Sequence, residues 1–155
     1  QNLGAELAWR KGFEFLGLDR TFFSGNVSII DSNVELGQSD GCETSSRRPL
    51  EGQSAYVINL QLGYEAPRNL WQWSLLYNVS GRRIVEVGTS SLPDVYEQPR
   101  NLVDFVLGMR LGAGFALKLK AKNLIDQAVE RRAGPLIQSR GIVGRSVSLG
   151  LKYEH

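Results

Sequence analysis

Period-two alternation of apolar and polar residues, repeated seven times along 155 residues, constrains this chain more than any other feature. Successive side chains of a strand point to opposite sides, so each such stretch gives a strand with one apolar and one wet face. The first runs from about Asn2 to Arg10, with Leu3, Ala5, Leu7 and Trp9 opposed to Asn2, Gly4, Glu6 and Arg10. The second, from about Thr21 to Leu36, is the least regular: Phe23, Gly25, Val27 and Ile29 oppose Ser24, Asn26 and Ser28. The third sets Tyr56, Ile58, Leu60, Leu62 and Tyr64 against Asn59, Gln61, Gly63 and Glu65. In the fourth, Trp71, Trp73, Leu75, Tyr77 and Val79 oppose Gln72, Ser74, Asn78 and Ser80. The fifth opposes Val103, Phe105, Leu107, Met109 and Leu111 to Asp104, Gly108 and Arg110. The sixth carries Phe115, Leu117, Leu119 and Ala121 against Lys118, Lys120 and Lys122. The last carries Val147, Leu149, Leu151 and Tyr153 against Ser146, Ser148, Gly150 and Lys152. The pattern predicts an all-β, antiparallel, meandering sheet of about seven strands.

The connections alternate in length. Ala66-Pro67-Arg68-Asn69 and Gly112-Ala113-Gly114 are short turns of Pro and Gly type. Gly37–Pro49, Val87–Arg100 and Leu124–Gly144 are long, polar and rich in Gly, Pro, Ser and Arg. The first connection, Lys11–Arg20, is intermediate and apolar for a loop, and falls on the short side of the alternation. Short turns at one end and long loops at the other describe a transmembrane β-barrel of the outer-membrane kind. Trp9, Phe22, Phe23, Tyr64, Trp71, Trp73, Phe115 and Tyr153, eight of the fourteen aromatics, cluster toward the short turns. A soluble sandwich collects its aromatics in mid-strand, whereas a barrel wears them as a girdle at the headgroup level.

Composition neither supports nor opposes this. Hydrophobic content of 42% with 22% charged residues and a mean hydropathy of −0.20 describe an ordinary soluble protein. A barrel turns only every second residue to lipid, so its mean hydropathy is ordinary too. No apolar run approaches the ~18 residues of a membrane-crossing helix, which excludes helical spans alone. A net charge of +2 is too small to imply nucleic acid as a partner. Gln1 leads straight into patterned sequence, so either a leader has been cut away or the start is internal. Cys42, the one cysteine, sits in a polar loop, either as a free thiol or with a partner outside this sequence. If the last strand ends in the periplasm, odd-numbered strands run inward and Gln1 starts at the external surface. Seven is odd, bacterial single-chain barrels have even strand numbers, and an open edge in lipid leaves backbone groups unpaired. The expectation is therefore a segment of a larger barrel.

The final residues, Arg145 to His155, resemble the recognition strand of outer-membrane barrels, with Ser148, Gly150, Leu151 and Tyr153 fitting its pattern. Such a strand is read by adding its free edge to another sheet. His155 stands where that family ends in Phe, either as a partly substituting ring or as the first residue of an added tag. Upstream, Gly144-Arg145, Leu119-Lys-Ala-Lys-Asn-Leu-Ile-Asp126, Arg48-Pro-Leu-Glu-Gly-Gln-Ser54 and Pro93-Asp-Val-Tyr-Glu-Gln-Pro-Arg100 resemble the C-terminal barrel of TonB-dependent receptors, in the right order across essentially the whole chain. The resemblance implies a Gram-negative outer-membrane barrel of about 22 strands around an N-terminal plug, of which this chain is roughly a third. It implies import of a scarce nutrient (iron-siderophore, cobalamin, haem or glycan) driven from the inner membrane by TonB acting on the plug. Implied partners are outer-membrane lipid and lipopolysaccharide, the rest of the barrel and the plug, TonB and the barrel-assembly machinery. Long loops would be extracellular, short turns and C-terminus periplasmic. No cofactor is implied.

No catalytic constellation is legible. The one histidine is terminal, and Asp94 with Glu97 sits in a proline-flanked loop, read as solvated. Lys118, Lys120 and Lys122, with Arg110 and Asp104, are expected to face the lumen, where the lysines either line an anion path or pair with acidic groups of the plug or neighbouring strands. Arg131, Arg132 and Arg140 in the longest loop are candidates for an anionic ligand or for lipopolysaccharide phosphates. Rival readings are a small structural or adhesive outer-membrane barrel, one half of a split receptor, and a soluble ligand-binding β-barrel.

Overall fold

The computed structural model describes residues 1–35, 47–89 and 92–153. Cys42 and His155 lie outside the described residues. Seven long strands form one antiparallel meander: β1 (Asn2–Phe13), β2 (Leu18–Ser32), β5 (Tyr56–Glu65), β6 (Trp71–Ser80), β9 (Arg100–Gly112), β10 (Phe115–Lys122) and β13 (Ser146–Tyr153), neighbours in that order. Two short strands, β3 (Val34–Glu35) and β4 (Arg47–Arg48), pair with each other between β2 and β5. The sheet does not close; β1 and β13 are its edges.

The registers turn seven separate alternations into one surface. Leu7 lies opposite Val27, Val27 opposite Ile58, and Ile58 opposite Val79. Further along, Leu75 meets Phe105, Phe105 meets Ala121, and Ala121 meets Val147. Directly opposed residues share a face, so every apolar series read from the sequence falls on the same side. No second layer covers that side: Leu3, Leu7, Ile29, Val147, Leu149 and Leu151 are all more than 60% exposed. Of the residues on this face only Val79 is buried. The chain exposes 10779 Å², where a compact folded protein of 17.2 kDa exposes about 7,800 Å². The difference is several times the roughly 800 Å² that one partner contributes to a standard interface.

Short connections lie at one end of the meander. One is a 3₁₀ turn over Glu14–Leu16, capped by Gly17 at φ 70. A second spans Pro67–Asn69, and the third is the Gly112–Gly114 hairpin, where all three residues have positive φ. The sequence made Lys11–Arg20 a connection of ten residues; the strands run into it from both sides, because Lys11 and Gly12 still pair with Phe23 and Phe22. The long connections are not plain loops either. Within them β7 (Arg83–Glu86), β8 (Val95–Glu97), β11 (Val129–Ala133) and β12 (Leu136–Gly141) form a second antiparallel sheet, in the order β12-β11-β8-β7. Its buried anchors are Ile84 and Val95. These strands are too short to show a period against the surrounding Gly, Pro and Arg.

Phe22 departs from the expected band of aromatics. It lies on the polar face, buried, opposite Gly63 in register. A Cβ on Gly63 would sit 2.4 Å from the ring, so the missing side chain is what admits it. The Arg10 guanidinium covers the other side, 3.8 Å from the ring centroid. The other seven aromatics keep to the apolar face, in cross-strand pairs near the short connections. Trp9–Phe23 centroids are 6.4 Å apart, Tyr64–Trp71 4.8 Å and Phe115–Tyr153 4.8 Å.

Candidate functional site

The face opposite the apolar one carries the polar residues, and its two halves differ. Across β1, β2, β5 and β6 it is built from amides and hydroxyls. Asn26 donates to Glu6 at 3.1 Å, Asn78 donates to Asn59, and Gln61 donates to Ser74 at 2.9 Å. Glu6, Asn26, Asn59, Gln61, Asn78 and Asp104 line an open cleft of about 710 Å³. Across β9, β10 and β13 the face turns basic. Asp104, Arg110, Lys118, Lys120 and Lys122, read from sequence as lumen-facing, do share this side, and Lys152 joins them. Asp104 is committed elsewhere: its carboxylate accepts from the Asn123 backbone N–H at 2.9 Å. Among the described residues Lys118, Lys120 and Lys122 form no ion pair.

Arg131 is set apart from Arg132 and Arg140, which flank Glu130 on one face. Residues 131 and 132 are adjacent on β11 and so point to opposite faces of the second sheet. Arg131 approaches Glu97 at 3.9 Å, beside Arg83, which holds the same carboxylate at 2.8 Å. Arg132 is paired with Glu130. Arg140 sits opposite Glu130 on the exposed strand β12. With Arg82, whose guanidinium lies 5.2 Å from the Tyr96 ring centroid, Arg132 lines a surface hollow of about 490 Å³. The carboxylates of Asp94 and Glu97 are also engaged: Asp94 accepts from the Gly88 N–H at 2.8 Å, and Glu97 holds the two arginines.

Sequence reading missed Asn123 as a structural post. It is 5% exposed, at φ 55, in the left-handed region that Asn tolerates better than most residues. Its amide donates to the Gly144 carbonyl at 2.8 Å and accepts from the Gln127 N–H at 2.8 Å. The strand-exit segment 119–126 is thereby tied to the Gly144-Arg145 entry of β13. The other two quoted motifs are anchored in the same way. Ser54 donates to the Gly81 carbonyl at 2.9 Å, and Asp94 holds the turn at Gly88. An Asn at the end of a strand, followed by an Asp-containing turn, was the available signal.

Ser148 and Gly150 lie on the polar face, Leu151 and Tyr153 on the apolar face, and all four are exposed. Only one edge of β13 is paired. Among the described residues no helix is long and apolar enough to cross a membrane, which says nothing of strands. Comparison with protein-family models, with curated proteins and with solved structures finds no match.

Proposed function

We propose that this chain is a wall segment of an outer-membrane barrel belonging to a TonB-dependent nutrient receptor. The observation that carries the reading is the apolar face, continuous in register over seven strands and uncovered. In water so large an exposed apolar surface is an aggregation hazard or an interaction site. Against acyl chains it is the only sensible solvent contact. The aromatic pairs toward the short connections supply a headgroup-level girdle. The opposite face, polar and partly basic, suits a water-filled or plug-filled lumen.

The strand count supports a larger wall. In an antiparallel meander the first and seventh strands run the same way. β1 and β13 therefore cannot pair antiparallel with each other, and in lipid each bare edge would cost several kcal/mol per unsatisfied group. Whatever covers both edges contributes an odd number of strands, which makes the complete wall even. The receptor assignment rests on the four motif segments, which anchor long connections and strand ends in this fold as sequence signatures of a family should.

The test is the size and behaviour of the native protein in outer-membrane fractions. The proposal expects a species much larger than 17.2 kDa whose gel mobility shifts on heating, as folded barrels do. A heat-modifiable species of about 17 kDa standing alone would overturn it in favour of a small barrel. A protein that stays in the aqueous fraction without detergent would favour a soluble β-protein.

A further inference from the structure

We propose that the polar face carries a binding socket for a soluble oxyanion of the phosphate class, between β9, β10 and β13 at the short-turn end. The inference goes beyond the receptor reading, since it stands on the sheet's own register and side chains. Two adjacent rows of the sheet make it. In one, Lys118 lies between Gly108 and Gly150; in the next, Ala116 lies between Arg110 and Lys152. Strands are about 4.8 Å apart and same-face residues about 7 Å apart along a strand. The three cations therefore stand around a gap where three positions, Gly108, Gly150 and Ala116, offer nothing larger than a methyl group.

The gap is a hollow of about 570 Å³, within the size range of small-molecule sites. Its lining sets the Arg110 guanidinium, the Lys118 ammonium and the amides of Gln72 and Asn69 among the apolar Val106, Met109, Leu117 and Leu151, with Lys152 at the edge. Among the described residues the one carboxylate on its rim, Glu65, is held by Arg10 at 3.4 Å. Tetrahedral oxyanions take several charge-assisted hydrogen bonds at once, and an arginine fork beside lysine point charges supplies them.

The glycines are the second, independent observation. Glycine weakens a strand and, where nothing in the fold needs it, marks close approach by a ligand or another backbone. A Cβ on Gly150 would meet nothing nearer than the Lys118 carbonyl at 3.8 Å. On Gly108 it would make ordinary contact with Gln72 at 3.4 Å. Contrast Gly63 and Gly25, which the rings of Phe22 and Trp9 require to be bare. The chain's own packing thus leaves the floor of this socket open without using it.

Equilibrium dialysis of inorganic pyrophosphate against the detergent-purified native protein tests this, with heat-modifiability reporting the fold of every variant. The expected result is saturable binding, weakened at least tenfold by Lys118→Gln and by Arg110→Gln and restored by Lys118→Arg. Gly108→Val, which fills the floor and leaves all charges, should abolish it. Lys122→Gln, outside the socket on the same strand, should leave it unchanged. Equal loss with Lys122→Gln would overturn the socket in favour of diffuse charge. So would binding of an acidic peptide in its place with none of pyrophosphate. A heat-modifiable protein that binds nothing sinks the socket and leaves the wall reading intact. A detergent-independent, soluble protein that binds through Lys118 does the reverse.

Discussion

Asn123 holds three neighbours through one short side chain and one backbone N–H, at a φ that most residues resist. Asn123→Ala leaves the part-buried Gln127 N–H and Gly144 carbonyl without this partner and keeps the strained φ. The expected loss is about 2–3 kcal/mol of stability, read from the urea midpoint of the refolded protein. Phe22 and Gly63 make a second residue-scale test. Gly63→Val drives methyl groups into the ring and should cost about 2 kcal/mol, whereas the exposed Gly150→Ala should cost little. Both features explain what sequence could and could not supply. Phe22 sits next to Phe23, and adjacency in a strand means opposite faces; counting both in one band ignored the period that defined the band. Gly63 opposite Phe22 is a cross-strand fact, invisible until the register is known. Asn123 was quoted only as part of a motif: the strand-end Asn before an Asp-containing turn signals the turn, but the bonds to Asp104 and Gly144, 19 and 21 positions away, depend on register.

At the scale of elements, period two was legible wherever a strand was long enough to repeat it. That covers all seven members of the main sheet, including their faces. Boundaries were less legible. β1 and β2 run into Lys11–Arg20 because Phe13, Phe15, Leu16 and Leu18 give that hairpin apolar residues on both faces. The second sheet was not legible at all: β8 has three residues and β7 four, and the pairing of β8 with β11 joins two different long connections. Arg131, Arg132 and Arg140, read from sequence as candidates in the longest loop, take their places from this topology, which sends Arg131 and Arg132 to opposite faces. Faces are testable one residue at a time on the edge strand β13. Leu149→Arg on the apolar face should cost about 2–4 kcal/mol of folding free energy into phosphatidylcholine vesicles. Ser148→Arg, one position away on the polar face, should change it by no more than about 0.5 kcal/mol. Equal penalties at the two positions would mean that both faces meet the same medium.

On the scale of the whole molecule, the proposed wall places lipid over the uncovered apolar face and an odd number of further strands along the two like-directed edges. If the complete receptor couples import to the inner membrane, deleting its gene should abolish uptake of one class of scarce nutrient, and dissipating the proton gradient should do the same in cells that carry it. The central claim, that the apolar face meets acyl chains with its aromatics at the headgroup level, can be read from the protein's own fluorescence. All three tryptophans, Trp9, Trp71 and Trp73, lie on that face toward the short connections. In vesicles whose lipids carry bromine at defined depths, the account predicts strong quenching by bromines near the headgroup and weak quenching by those near the chain ends. Quenching at neither depth, in protein that has folded in the vesicles, would contradict it.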